Sequence, residues 1–78
     1  MIRPTNVTPL KDYQLLLHFS NGEKRLFDLS PYLHMPFYTK LRNVDAFKKA
    51  YIGEYTVEWP NGCDIAPHEL YEDSVPLD

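Results

Sequence analysis

Few side chains in this chain could hold a proton, a metal or a covalent bond, and fewer still stand in company. The three histidines, His18, His34 and His68, show no i, i+4 pairing or other metal-ligand spacing. Cys63 is the one cysteine, with no CxxC partner and no Lys, Arg or His beside it to lower its thiol pKa. It therefore reads as a small hydrophobe on a strand. One constellation has geometric promise. Asp28-Leu29-Ser30-Pro31 and Asp64-Ile65-Ala66-Pro67 repeat the pattern Asp, aliphatic, small residue, Pro, and each is followed by a histidine. If the segments that carry them lie side by side, Asp28, Asp64, His34 and His68 can form a metal or substrate site. The simpler role is local, because an Asp three residues before a Pro that opens a helical turn can accept that turn's orphan amide protons. Asp28 and Asp64 are read as such caps, and no metal or cofactor is expected.

Nucleophilic catalysis has no signature here. There is no Gly-x-Ser-x-Gly elbow and no phosphate-cradling loop, and Gly22, Gly53 and Gly62 all fall at turns. A chain of 78 residues buries roughly 60% of its unfolded surface, a core too thin to enclose a ligand pocket of roughly 300–1,000 Å³. An enzyme is not expected.

The charge is more informative than its sum. The net charge is −3. Residues 1–49 carry all eight bases with Asp12, Glu23, Asp28 and Asp45, a balance of +4, while residues 50–78 carry seven acids and no base. Lys40, Arg42, Lys48 and Lys49 form a basic cluster with Phe37 and Tyr38 nearby, which offers a nucleic-acid contact as one functional class. The acidic final third opposes it, since it repels the same phosphate backbone. The aromatic residues suggest a different class. Six Tyr, four Phe and one Trp are many for a small core to hide. Tyr32, Phe37, Tyr38, Tyr55, Trp59 and Tyr71 are therefore candidate anchors of a protein interface.

The elements that must position these residues are short. Tyr13 to Phe19 alternates on period two, with Leu15, Leu17 and Phe19 on one face and Gln14, Leu16 and His18 on the other. Ser20-Asn21-Gly22 then turns the chain into Glu23–Leu29, a hairpin. A three-residue loop with Gly22 left-handed places Leu15 opposite Phe27 and Phe19 opposite Glu23, and gathers Leu15, Leu17, Phe27 and Leu29 on one face. That register is preferred, because a one-residue slip exchanges the faces. Ser30-Pro31 opens a single helical turn. Asn43 caps a helix from Val44 to about Ala50, with Phe47 and Tyr51 inward and Lys48 and Lys49 outward. Glu54–Trp59 alternates again, and Pro60-Asn61-Gly62 returns the chain through Cys63-Asp64-Ile65. Pro67 starts a last helical turn ending near Tyr71, and residues 72–78 read as a flexible tail. The expected fold is a single α+β domain over residues 1–78, two β-hairpins with short helices.

Taken together, Val7, Phe19-x-Asn21-Gly22-x-x-Arg25-x-Phe27-Asp28-Leu29 and Trp59-Pro60-Asn61-Gly62-x-Asp64-Ile65-x-Pro67-x-x-Leu70-Tyr71 resemble a small bacterial family, number 2442 among the domains of unknown function. The closing Trp-Pro-Asn-Gly-x-Asp stretch is the most specific part, and Cys63 stands where an aliphatic residue is expected. The resemblance implies a compact α+β module with no catalytic residues to carry over. Some relatives look like fusions to a helix-turn-helix region, and others like stand-alone members of toxin–antitoxin-like pairs.

The expectation is a cytoplasmic accessory module, given the lone cysteine and the lack of an apolar leader or membrane-length run. Its expected work is binding another protein, a small basic one encoded nearby, as the antitoxin-like member of a pair, with homo-oligomerisation open. A nucleic-acid-associated regulator using Lys40, Arg42, Lys48 and Lys49 is the alternative.

Overall fold

The computed structural model describes residues 1–77. Its strands are β1 (Pro4–Pro9), β2 (Gln14–Phe19), β3 (Lys24–Asp28), β4 (Tyr51–Ile52), β5 (Val57–Glu58) and β6 (Val75–Leu77). The α-helices are α1 (Val44–Phe47) and α2 (Pro67–Glu72), and 3-10 turns cover Lys11–Tyr13, Ser30–Tyr32 and Pro36–Arg42. Strands β1-β2-β3-β6, in that order, make one antiparallel sheet, and β4-β5 make a second, smaller one. The fold is α+β.

The β2–β3 hairpin has the register that its hydrophobic pattern demands, Leu15 opposite Phe27 and Leu16 opposite Leu26. Leu15, Leu17, Phe27 and Leu29 are all fully buried. Gly22 has φ +90, the left-handed conformation that closes the turn. The turn at Asn61-Gly62 is built the same way. Phe19 N–H donates to the Glu23 carbonyl at 2.9 Å, as Trp59 N–H donates to that of Cys63 at 2.9 Å. The Asn21 and Asn61 side-chain oxygens each accept from the amide two residues on, at 3.1 Å. The echo between the two segments is thus an echo of turn chemistry.

Four features depart from expectation. The sequence does not announce β1, because Pro4, Asn6 and Pro9 interrupt the strand-favouring Thr5, Val7 and Thr8. Residues 72–77 of the expected tail belong to the fold: Glu72 ends α2 and Val75–Leu77 pairs with β3, while Asp78 lies outside the described residues. The helix after Asn43 is shorter than expected, although Asn43 does cap it by accepting from Ala46 N–H at 3.1 Å. Phe47 is buried there, but Tyr51 lies in β4 and is 44% exposed.

The core lies on one side of the large sheet. Leu15, Leu17, Phe19 and Phe27 project from it to meet Leu33, Leu41, Phe47, Trp59, Ile65 and Leu70. The molecule measures 31 × 25 × 18 Å, and the short axis has room for two layers but not three. The opposite face of the sheet is therefore left without a covering layer.

Candidate functional site

The uncovered face follows from strand alternation. With Leu15, Leu17 and Phe19 buried, the other side of β2 presents Gln14, Leu16 and His18. Register then fixes their neighbours. Thr8, Leu16, Leu26 and Val75 line up in one row across all four strands, and Asn6, His18, Lys24 and Leu77 in the next. Gln14 and Asp28 lie on the other flank of the central row. Every one of these side chains is at least partly exposed. Val75 is 64% exposed and Leu77 42%, so an apolar stripe of Leu16, Leu26, Val75 and Leu77 faces solvent. Lys24 flanks it at one end of β3 and Asp28 at the other.

The edges of this sheet are less accommodating than its face. Phe19 N–H bonds to β3, so the odd residues of β2 serve β3 and the even ones serve β1. By the same alternation β1 turns Val7 and Pro9 outward, and β6 turns Pro76 outward. Proline has no N–H to offer an incoming strand, so Pro76 blocks addition at β6 and Pro9 weakens it at β1, where the Val7 N–H remains.

The expected interface aromatics mostly serve the core. Trp59 is 2% exposed, and its indole N–H donates to the Phe47 carbonyl at 2.9 Å. Tyr38 is also buried, with its hydroxyl on the Asp64 carbonyl at 3.0 Å. Neither can anchor a partner in this fold, because the inner layer needs their bulk against the sheet. Tyr32 is half-buried and donates to the Asp73 carboxylate at 2.7 Å. Burial first, and then Asp73, push its phenol well above the usual range. Tyr71 is half-buried beside Phe19, ring centroids 5.2 Å apart. Only Phe37, at 57%, and Tyr55, at 61%, present large exposed surfaces. Sequence reasoning missed Leu26, Val75 and Leu77. The available signal was Leu16, an apolar residue on the polar side of its strand, with Leu26 opposite it in the preferred register.

Among the other candidates, Asp28 caps as expected, its carboxylate accepting from Ser30 N–H at 3.0 Å and from the Ser30 hydroxyl at 2.7 Å. Asp64 does not cap. Helix α2 has Ala66 at its N-cap with no side-chain bond, and Pro67 at the start reduces the number of amides needing one. Among the described residues no three His, Cys, Asp or Glu side chains converge as a metal site would require, so Asp28, Asp64, His34 and His68 are not brought together.

Lys40, Arg42, Lys48 and Lys49 are all exposed. The Arg42 Nε–H is engaged by the Leu33 carbonyl at 2.9 Å. Lys48 instead borders an open depression of about 590 Å³, with Leu10, Lys11, Asp12, Tyr13 and Val44. Among the described residues no acid of the final third forms an ion pair with a base. The ion pair among the described residues is Arg25–Glu23 at 2.8 Å, within the first half.

The two-layer α+β module with one bare sheet face has a family. The chain belongs to the family described as protein of unknown function DUF2442, whose model matches residues 4–76. No curated protein matches the chain, and no solved structure does. Among the described residues no helix is long and apolar enough to cross a membrane.

The family-like residues have visible structural work. Asn21 and Gly22 make the turn, and Arg25 with Tyr71 forms a clamp. The Arg25 guanidinium donates to the Ser74 hydroxyl at 2.7 Å, the Ser74 carbonyl at 2.8 Å and the Glu23 carboxylate at 2.8 Å. It also lies 4.3 Å over the Tyr71 ring. This clamp ties α2 and β6 to the first hairpin, and so sets Val75 and Leu77 beside Leu26.

Proposed function

We propose that this chain is a cytoplasmic, non-enzymatic protein-binding module whose docking surface is the outer face of the β1-β2-β3-β6 sheet. The observation that carries the reading is the apolar stripe Leu16, Leu26, Val75 and Leu77 on a face with no covering layer. Two half-buried leucines bordered by Gln14, His18, Lys24 and Asp28 resemble the apolar core and polar rim of an interface. The proline-bearing edges favour packing on the face over addition of a strand. A toxin–antitoxin-like pair, with this chain as the neutralising member, is the setting in which such a module would act.

The test is copurification with the product of the adjacent gene, comparing the natural chain with Leu16→Lys and Leu26→Glu. Both positions are on the solvent side of the sheet, so the variants keep the far-ultraviolet circular dichroism of the parent and lose the partner. Retention of the partner by both folded variants, or no copurifying partner together with a harmless neighbour expressed alone, would refute the reading.

A further inference from the structure

Resting on that reading, we infer that the outer face of the sheet, when no other protein occupies it, takes a second copy of this chain, in a two-fold symmetric, face-to-face sandwich. The argument is one of self-complementarity. A two-fold axis lying in the interface along the row Thr8-Leu16-Leu26-Val75 stacks each residue of that row on its own counterpart. The operation exchanges the two flanks. On β3, Lys24 and Asp28 lie two residues either side of Leu26 on the same face. Lys24 of each copy therefore meets Asp28 of the other, and the pair occurs twice. His18 likewise meets Gln14. Leu16, Leu26 and Val75 each stack on their own counterpart, and Lys24 meets Asp28, which is the condition for an isologous interface. Two stacked sheets with their strands roughly aligned form an ordinary sandwich core.

The size of the face sets the strength. Four strands about 4.8 Å apart and up to six residues long give a face of about 15 by 20 Å, or ~300 Å², below the ~800 Å² per partner of a standard stable interface. The pair is accordingly weak.

The experiment is sedimentation equilibrium of the full chain between ~5 and ~500 µM, a range that reaches weak self-association. The natural chain shifts from monomer to dimer over this range. Leu26→Glu stays monomeric, with at least a tenfold loss. Lys24→Asp and Asp28→Lys each weaken self-association, since the exchanged flanks then carry like charges. An equimolar mixture of these two variants recovers the dimer, because every contact across the axis is again Lys against Asp. Asp28 also holds Ser30, so if Asp28→Lys does not fold, Lys24→Asp and Asp28→Asn are compared with the natural chain, each expected to weaken the dimer.

A natural chain that remains monomeric at every concentration overturns the second-copy assignment, as does a dimer indifferent to Leu26→Glu. Failure of the mixed variants to recover association overturns the register. If the chain is monomeric but Leu26→Glu still loses a copurified neighbour, the second copy is rejected and the protein-binding reading stands. If the chain is monomeric and the neighbour is retained by Leu26→Glu, both are rejected.

Discussion

The Tyr71 hydroxyl donates to the carboxylate of Glu23, the same group that receives the Arg25 guanidinium. A residue of α2 is thereby joined to the first residue after the Asn21-Gly22 turn, and β6 follows α2 into the sheet. The clamp around Arg25 is what converts a hairpin into a four-stranded face.

Arg25→Lys is expected to destabilise the fold by about 1.5–3 kcal/mol, because an ammonium cannot reproduce the guanidinium fork that serves Glu23 and both oxygens of Ser74. Urea unfolding followed by the fluorescence of buried Trp59 reads the change directly. A midpoint equal to that of the parent would show the clamp to be ornamental.

The same contacts predict a pH dependence. Glu23 is held below its ordinary value of 4.5, first by the Tyr71 hydroxyl and then by Arg25. The unfolded chain takes up this proton before the folded one does. The contribution is therefore present above about pH 4.5 and is lost as pH falls through the lower folded value. Glu23→Gln lacks it throughout, so the gap in urea midpoint between parent and variant narrows on acidification. At the alkaline end Tyr71, raised above 10.0 chiefly by Glu23, stabilises below that pH and ceases to do so as pH rises through its folded value. A gap that widened with acid would reverse the assignment.

Asp12 and Tyr13 both lie at positive φ, 59 and 61, in the β1–β2 connection. Such a conformation costs a side chain about 1–2 kcal/mol. Asp12 is exposed, so Asp12→Gly relieves strain and stabilises by about 0.5–1 kcal/mol. Tyr13 packs edge-on against Phe47 at 5.3 Å and donates to the Arg42 carbonyl, so Tyr13→Gly destabilises despite the same relief. Thermal unfolding of the two variants should shift in opposite directions.

Gly22 and Gly62 have φ +90 and +94, and an added Cβ at either meets nothing within 4 Å. Gly22→Ala and Gly62→Ala should each cost about 1–2 kcal/mol, all of it from the backbone. Unequal losses would mean that the two turns, alike in hydrogen bonding, are not alike in energy.

Cys63 is buried, and its thiol contacts the Phe37 carbonyl at 3.2 Å. Burial pushes its pKa above the ordinary 9.0. A thiol-specific disulfide reagent at neutral pH should label it only at the rate of unfolding, and rapid labelling of the native protein would contradict the packing.

The sequence was legible where a buried face and a turn agreed. Leu15, Leu17 and Phe27 with Asn21-Gly22 left one register for the first hairpin, and Asn43 marked the start of α1. Legibility failed where partners are distant or prolines intervene. β1 hides behind Pro4 and Pro9, and β6 is a three-residue strand containing Pro76 whose partner lies far back in the chain. The site suffered for the same reason, since Leu26 and Leu16 gain Val75 and Leu77 only once β6 docks. Trp59 misled in the other direction. An indole on a short strand suits an interface, but here Phe47 supplies its acceptor inside the core.

The distance between Arg25 and Ser74, 49 residues, has a kinetic consequence. Strands β1, β2 and β3 follow one another through short turns and can form in microseconds, whereas β6 must close most of the chain into a loop before it gains anything. The sheet is thus assembled in two instalments, and it comes apart in the reverse order. The amides of Lys24 and Leu26, which face β6, should exchange with solvent through a local opening that leaves Leu15, Leu17 and Phe27 protected until the whole molecule unfolds.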